Sequence, residues 1–294
     1  MRLNLEPTML AGTSDPRQPY RIPGNPALCA ELAGAGPLVL FLHGIGGNRT
    51  NWQAQLPAFA RHFFCIAWDA RGYGDSEDYE GPLAFDDFAA DVVRVLDHFE
   101  SDRAHLVGLS MGGRIAMRTA LLYPHRVATL TLADTHEGFA SFSPEQRREF
   151  VDMRCAPLRA GKQPRDIAET VARSLTGPSA TSQQLKQLIA SIAALHKESY
   201  IKTVEASVAQ TQPIELGRIR APAHFIVGAD DRLTPPEVHR KMAAALGGAP
   251  VSVLADAGHL SNIENSAAFN EAALQWLLPR ASLASPPRRG RPLR

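Results

Sequence analysis

Six short runs of apolar residues, spaced along the chain with helical patterns between them, limit the fold of this sequence more than any other feature. Each run is continuous rather than alternating, as expected for a parallel strand that is covered on both faces. The runs are residues 38–43, 64–69, 104–109, 128–133, 223–228 and 251–256. Because strands that alternate with helices pair through right-handed crossovers, the pattern predicts an α/β fold with a mostly parallel central sheet flanked by helices.

Three segments between the runs have the spacing of amphipathic helices. Residues 85–99 repeat apolar residues three and four positions apart, which places them on one helix face. Residues 111–123 have the same spacing and end before Pro124, where a helix is expected to stop. Residues 235–246 begin with two prolines and end before Gly247, as helix starts and stops commonly do.

The alternation of strands and helices breaks in the middle of the chain. Residues 135–212 are rich in Ala, Gln and Arg, contain no strand candidate and predict about four helices. We interpret them as an inserted helical cap over a pocket, the alternative being a helical subdomain without a role. Residues 1–134 and 213–280 then form the α/β core, and the Pro- and Arg-rich residues 281–294 are expected to be a disordered basic tail.

Composition limits the partners of the protein. Apolar residues make up 45% of the chain and charged residues 21%, which is enough for a sizeable core. A formal charge of +1 at pH 7 indicates neither a general nucleic-acid binder nor a sink for acidic ligands. The segment "RRGRP" (288–292) resembles the core of a minor-groove-binding AT-hook, but one copy in a basic tail favours a solvated tail.

The location of the protein is predicted from what the sequence lacks. The N-terminus has no apolar run long enough for a secretory signal, and no stretch approaches the roughly 18 apolar residues of a membrane span. The three cysteines, Cys29, Cys65 and Cys155, are odd in number and far apart, so they fit neither a disulfide framework nor a metal site. We expect a cytoplasmic protein that binds neither membrane nor nucleic acid, and a homodimer stays open.

A serine between two glycines is the strongest chemical signal. Gly108, Ser110 and Gly112 form a G-x-S-x-G motif directly after the third apolar run and at the start of a helical segment. In that context the strand turns sharply into the helix and exposes the serine hydroxyl at the carboxyl edge of the sheet. The flanking glycines leave room for the turn. We predict Ser110 as a nucleophile.

A serine nucleophile needs a base, and the base needs an acid. His259 follows the last apolar run, and a neutral imidazole can take the serine proton. Asp230 and Asp231 follow the fifth run, and the order Ser110, Asp231, His259 is the order of a serine hydrolase triad on such a sheet. Asp231 is favoured as the acid, whereas Asp134, which also ends a strand, stays as the alternative.

The negative oxygen of a tetrahedral intermediate needs fixed hydrogen-bond donors. The backbone N–H of Met111, next to the nucleophile, is one candidate. The glycine-rich segment 43–52 supplies the second, for which we choose Ile45, and its Gly44 is expected to lie against the substrate. His43 is expected to be structural. The segment is not a phosphate cradle, because no G-K-[ST] follows it.

Taken together, the motifs resemble those of α/β-hydrolase fold proteins from about Leu38 to Leu278. The motifs are "FLHGIGGN", "WDARGYGDS", "GLSMGG", "VGADDRLTPP" and "AGHLSNIE". "GLSMGG" with "HLSNIE" is most similar to 3-oxoadipate enol-lactonases and their carboxylesterase relatives. The resemblance implies hydrolysis of a small ester or lactone without a cofactor or metal. It also implies a structural role for "WDARGYGDS", with an ion pair between Asp69 and Arg71.

Enol-lactonases act on a carboxylated substrate, so the resemblance implies a cationic anchor. Arg49, Arg114 and Arg154 are the candidates, and His136 in the cap hinge is expected to line the pocket. Carbon–carbon hydrolases of meta-cleavage products share the triad and are the second hypothesis. A non-catalytic binding module is the third, although such a module usually lacks a triad member. Ser110 argues against dehalogenases and epoxide hydrolases of this fold, whose nucleophile is an aspartate.

Overall fold

The computed structural model of the chain describes residues 19–210 and 212–288. In this part of the chain eight strands form one sheet. They are β1 (Tyr20–Ile22), β2 (Leu28–Gly34), β3 (Leu38–Leu42), β4 (Phe64–Asp69), β5 (Ala104–Leu109), β6 (Val127–Ala133), β7 (Ala223–Gly228) and β8 (Val251–Leu254). Their order across the sheet is β1-β2-β4-β3-β5-β6-β7-β8. All six predicted strands are confirmed, as β3 to β8, and they pair in parallel.

The first two strands were not predicted from the sequence. β2 runs antiparallel to both β1 and β4, with Cys29 opposite Asp69 and Gly34 opposite Phe64. Its residues, "LCAELAG", favour a helix at least as much as a strand, and only the first three are buried. Pairing with β4 therefore determines its conformation, as is common where strand propensity is weak.

Helices flank the sheet, and others form the cap. They are α1 (Leu56–Phe59), α2 (Asp86–His98), α3 (Met111–Leu122), α4 (Pro144–Arg159), α5 (Pro164–Leu175), α6 (Ser182–Ala193), α7 (Lys197–Ala209), α8 (Pro236–Ala245), α9 (Ser261–Glu264) and α10 (Ser266–Leu277). The three predicted helices are confirmed as α2, α3 and α8. Each of them buries an apolar face, as their spacing requires; α3 and α8 pack against the sheet, and α2 packs against α3.

Four of these helices, α4 to α7, lie between β6 and β7 in the described chain and form the inserted cap. α4 packs against α7, and α5 packs against α6. Capping side chains explain where α4 and α6 begin. Oγ of Ser143 accepts the Gln146 N–H at 3.2 Å, and Oγ1 of Thr181 accepts the Gln184 N–H at 3.3 Å. Such caps satisfy N–H groups that have no partner in the first helical turn.

The prediction of a disordered tail is wrong for residues 281–288. Ser285 donates its N–H to the Arg103 carbonyl at 3.0 Å and accepts the Leu38 N–H at 3.2 Å. This segment is ordered because its backbone pairs beside the starts of β3 and β5. The rest of the tail, with most of "RRGRP", lies outside the described residues. So does the N-terminal stretch, for which the sequence predicts no secretory signal.

Two further findings concern the membrane and the thiols. Within residues 19–210 and 212–288 no helix combines the length and the hydropathy that crossing a membrane requires. Cys29, Cys65 and Cys155 are buried with free thiols, so they act as small apolar side chains of the core.

Candidate active site

Ser110 occupies a strained turn between β5 and α3. Its φ is 53° and its ψ is −114°, a conformation that a residue with a side chain rarely adopts. The Ser110 N–H donates to the Ala133 carbonyl at 2.8 Å, which anchors the turn to the end of β6. The strain therefore places the hydroxyl above the carboxyl edge of the sheet.

The two glycines of the motif permit this turn by close packing of the backbone. A Cβ at Gly108 would lie 2.3 Å from the carbonyl oxygen of Gly112, and a Cβ at Gly112 would lie 2.0 Å from that of Leu42. Neither oxygen can move without shifting the sheet or the helix. Glycine is therefore required at both positions by space.

The structure brings Ser110, His259 and Asp231 into one hydrogen-bonded chain. Nε2 of His259 lies 3.0 Å from Oγ of Ser110, and Nδ1 of His259 lies 2.9 Å from Oδ2 of Asp231. Each side chain follows a parallel strand. Because the carboxyl ends of parallel strands meet at one edge of the sheet, the three side chains lie close together. With its Nδ1–H donated to Asp231, the imidazole presents a free Nε2 to the serine.

Donors from its own loop hold the Asp231 carboxylate. Oδ1 accepts the N–H groups of Leu233 at 2.8 Å and Thr234 at 3.0 Å, and Oδ2 accepts the Thr234 hydroxyl at 2.7 Å. Burial by itself would raise the pKa of Asp231. The contact with His259 and the Thr234 donors outweigh burial and hold the pKa well below its ordinary value. Asp231 is therefore ionised.

Opposing effects also set the pKa of His259. Burial by itself would lower it, but the hydrogen bond and charge of Asp231, followed by the charge of Asp134, raise it above its ordinary value. The backbone N–H of His259 donates to the carbonyl of Leu175 in the cap at 3.0 Å. His259 is thus held by the core through Asp231 and by the cap through Leu175.

Asp134, the alternative acid, has other partners. Its Oδ1 accepts the Gly228 N–H at 2.9 Å, and its Oδ2 accepts the N–H of Ser261 at 3.0 Å and the hydroxyl of Ser261 at 2.5 Å. Burial, followed by the charge of Asp231, raises the pKa of Asp134. Asp230 is exposed. The position opposite Nδ1 of His259 therefore belongs to Asp231.

A tight turn after β3 presents backbone amides near Ser110. The Gly47 N–H donates to the Gly44 carbonyl at 2.9 Å, and His43 donates its Nδ1–H to the same carbonyl at 2.8 Å. Nε2 of His43 accepts a backbone N–H, so His43 is a neutral support below the turn. Among the described residues, the N–H groups of Ile45 and Met111 have no acceptor, which leaves both available to a substrate oxygen.

A cavity of about 440 Å³ opens above Ser110. Its wall includes Gly44, Ile45 and His136, and burial lowers the pKa of His136 to about 3. Most of the wall is apolar, with aromatic and aliphatic side chains such as Phe139, Phe142, Phe150, Leu188 and Ile192. Met153 and Leu233 also line it and are 67% and 47% exposed, so they form its mouth.

The structure brings neither Arg49 nor Arg114 to the cavity. Arg49 is paired with Asp69 and Asp75, which corrects its assignment as an anchor. The guanidinium of Arg114 is buried with its carbon 4.4 Å from the centre of the Phe85 ring. Both charges are held inside the core by partners other than a substrate.

The pairing expected in "WDARGYGDS" also differs from the structure. Arg71 donates to Asp91 of α2 at 2.6 and 2.9 Å, and Asp69 pairs with Arg49. The expected Asp69–Arg71 pair is therefore wrong, because the turn after β4 directs the two side chains to different elements.

Arg154 is the anchor candidate that does reach the cavity wall. Its guanidinium carbon lies 3.7 Å from the centre of the Phe150 ring. Burial, the largest effect, lowers the pKa of Arg154, yet a guanidinium keeps its proton at neutral pH. Within the described residues no carboxylate lies within ion-pair distance of Arg154. The cavity therefore contains a positive charge without a protein counter-ion.

Thr234 was missed by the sequence analysis. Its N–H and hydroxyl both donate to Asp231. It stands three residues after that aspartate, the spacing at which Asp and Thr side chains commonly bond to nearby backbone. That spacing is the signal that indicates its role.

Residues 37–266 match the sequence profile of the family described as alpha/beta hydrolase fold. Because this match covers most of the chain, the protein belongs to the α/β-hydrolase fold family, as the sequence motifs predict.

Individual relatives are hydrolases of several kinds. The chain is 29% identical to 3-oxoadipate enol-lactonase 2 of Acinetobacter baylyi, over 80% of this chain and 86% of the relative. It is 31% identical to a 2-hydroxy-6-oxononadienedioate/2-hydroxy-6-oxononatrienedioate hydrolase of Paraburkholderia phymatum, over 83% and 88%. Among solved structures, a thermophilic esterase from Thermogutta terrifontis has a TM-score of 0.82 and 28% identity, covering 90% of this chain and 99% of that chain.

Proposed function

We propose that the protein hydrolyses a carboxylic ester or lactone through an acyl-enzyme. The observation that carries the proposal is the chain of contacts from Ser110 through His259 to Asp231, with separations of 3.0 and 2.9 Å. The similarity to an enol-lactonase and an esterase supports the same chemistry.

In the first half of the reaction, Oγ of Ser110 attacks the carbonyl carbon while Nε2 of His259 takes its proton. The N–H groups of Ile45 and Met111 donate to the negative oxygen of the tetrahedral intermediate. The carbon–oxygen bond to the leaving group then breaks, and His259 gives its proton to that oxygen. In a lactone the leaving oxygen stays attached to the acyl group.

In the second half, His259 takes a proton from a water molecule, whose oxygen attacks the acyl carbon. Collapse of the second tetrahedral intermediate breaks the bond to Oγ of Ser110, which recovers its proton from His259, and the acid leaves. Asp231 stays ionised throughout and stabilises the imidazolium in both halves.

The side chains that line the cavity also indicate which class of substrate it binds. Most of it is apolar, and the unpaired guanidinium of Arg154 lies beside Phe150. A partly buried charge without a partner is unfavourable, and a carboxylate on the substrate would compensate it with a bidentate contact. The substrate is therefore an ester or lactone with an apolar body and a carboxylate away from the reacting carbonyl.

A pair of substrates tests the anchor. Arg154→Gln should lower kcat/KM for mono-p-nitrophenyl glutarate relative to p-nitrophenyl butyrate by about tenfold to a hundredfold, the value of one or two lost charge-assisted contacts. Arg159→Gln is the matched control, because Arg159 lies on the same helix and pairs with Glu205 on the surface. Equal preference ratios in all three proteins would rule out Arg154 as an anchor.

A carbon–carbon hydrolase is the second candidate function. The similarity to the Paraburkholderia phymatum enzyme favours it, since the name of that enzyme describes a dicarboxylate substrate. The same triad can serve both reactions, so the substrate decides between them. A non-catalytic binding module is disfavoured because no triad member is missing.

The first experiment is the absorbance time course of p-nitrophenyl butyrate, with Ser110→Ala as the control and a fluorophosphonate as a second probe of the serine. Sustained release that the variant lacks supports ester hydrolysis, and a panel of lactones follows. Labelling without release directs the work to vinylogous diketone acids, the substrates of carbon–carbon hydrolases. Absence of both release and labelling would contradict any serine hydrolase.

A further inference from the structure

We propose that Asp134 is a positioning residue, which holds the segments carrying Asp231 and His259 in register and supports the imidazolium by its charge. The inference rests on the proposed function in one respect, that His259 is the base. Asp134 itself contacts neither Ser110 nor His259 by a hydrogen bond in the described structure, so it acts through its neighbours.

The contacts of Asp134 connect the ends of β6 and β7 with the start of α9. The residue directly follows β6, and its carboxylate accepts the N–H of Gly228, the last residue of β7, at 2.9 Å. The other oxygen accepts the N–H and hydroxyl of Ser261, at 3.0 and 2.5 Å. Gly228 precedes Asp231 by three residues, and Ser261 follows His259 by two. One carboxylate therefore fixes both segments that must meet at Nδ1 of the base.

The backbone at Asp134 is consistent with this role. Its φ is 44°, in the left-handed region where a side chain is disfavoured. The side chain is fully buried, and burying a carboxylate is unfavourable unless donors satisfy it. Three donors do so here, from Gly228 before Asp231 and from Ser261 after His259. An apolar residue could fill the same space, but it would leave the donors of Ser261 and Gly228 without a partner.

The charge of Asp134 has an effect that packing alone would not have. It is one of the charges that raise the pKa of His259, after the larger contribution of Asp231. The other groups that face His259 are Arg154, whose charge lowers that pKa, and the imidazoles of His136 and His239. Burial lowers the pKa of these imidazoles to about 3 and about 4, so both are neutral at working pH. Burial and the charge of Asp231 raise the pKa of Asp134 itself to about 7, so its carboxylate carries its full charge only above that pH. Removing that charge should therefore lower the pKa of His259.

The test compares Asp134→Asn with Asp230→Asn, which removes an exposed charge next to the triad acid. The rate of labelling by a fluorophosphonate is measured against pH, and the Nδ1 proton of His259 is followed by NMR over the same range. In Asp134→Asn we expect the acid limb of labelling at lower pH than in either the wild type or Asp230→Asn. We also expect a maximal rate lowered by about tenfold or more, as misplacement of a reacting group causes.

Superimposable profiles for the two asparagine variants would overturn the proposal. If Asp134→Asn does not fold, Ser261→Ala decides, because it removes one donor and keeps the carboxylate. A wild-type maximal rate in Ser261→Ala would then contradict the positioning role. The NMR titration needs no reaction, so it reads the effect of Asp134 on His259 even if no labelling occurs. Absence of labelling in the wild type would count against the proposed function alone.

Discussion

Oδ2 of Asp231 and Nδ1 of His259 lie 2.9 Å apart, and both side chains are almost completely buried. An ionised carboxylate at this distance from the imidazole selects the tautomer that leaves Nε2 free for Ser110. Asp134 lies in the same buried region, but Ser261 and Gly228 occupy its carboxylate. The two aspartates therefore have separable roles.

Substitution of each aspartate by asparagine should show which of the two contributes more to kcat. We expect Asp231→Asn to lower kcat by about 10⁴-fold, because an amide cannot hold the required tautomer. Asp134→Asn should lower it by about tenfold to a hundredfold, since it disturbs only the placement of the base. Steady-state kinetics with p-nitrophenyl butyrate measure both. A larger loss in Asp134→Asn would assign the acid to the end of β6.

The losses of kcat caused by removing the nucleophile and the base should not be additive. Ser110→Ala and His259→Ala should each lower kcat by about 10⁶-fold, and the double variant should lose little more, because the two residues act as one unit. Single-turnover kinetics at high protein concentration measure the residual rates. Additive losses would mean that the two side chains contribute to separate steps.

Gly108→Ala should lower stability as well as rate. The new Cβ would lie 2.3 Å from the Gly112 carbonyl oxygen, and such overpacking destabilises a core by about 1–3 kcal/mol or more. Gly217→Ala is the control, since a Cβ there meets no atom within 4 Å. Chemical denaturation measures both variants. Equal stability of the two would show that the turn can relax.

The pH dependence of kcat/KM should show an acid limb above pH 6.5, because activity requires neutral His259 and its pKa is raised from 6.5. Activity is therefore lost as the pH falls through this raised value. Arg154→Gln should move the limb to still higher pH, because the Arg154 charge lowers the pKa of His259. Initial rates across the neutral range test both statements. A limb that moves to lower pH in the variant would contradict the electrostatic contact.

Two truncations test the backbone contacts of Ser285 in the C-terminal segment. Removing residues 281–294 should destabilise the protein by about 2 kcal/mol, because the backbone bonds of Ser285 to Leu38 and Arg103 are lost. Removing only residues 289–294 leaves those bonds intact and is the matched control. Thermal unfolding compares the two, and equal melting temperatures would show that the Ser285 contacts contribute nothing.

The core of the fold could be predicted because buried parallel strands need continuous apolar residues, which are visible in the sequence. Ser110, His259 and Asp231 could be brought together on the same basis, since each follows one of those strands. Partners that depend on the meeting of distant loops could not be predicted. Arg49 and Arg71 are both near β4 in space, yet only the turn after that strand decides which of them pairs with Asp69. The strand β2 was missed for a similar reason, because its conformation depends on β4.

The hydrogen bond between the His259 N–H and the Leu175 carbonyl restricts the route by which a substrate can arrive. Lifting the end of α5 would detach the base from the cap and withdraw it from the nucleophile. Opening of the cavity at this helix end would therefore disturb catalysis. Met153 and Leu233 line the cavity and are 67% and 47% exposed, so a substrate can enter between apolar side chains while His259 stays bound to Leu175.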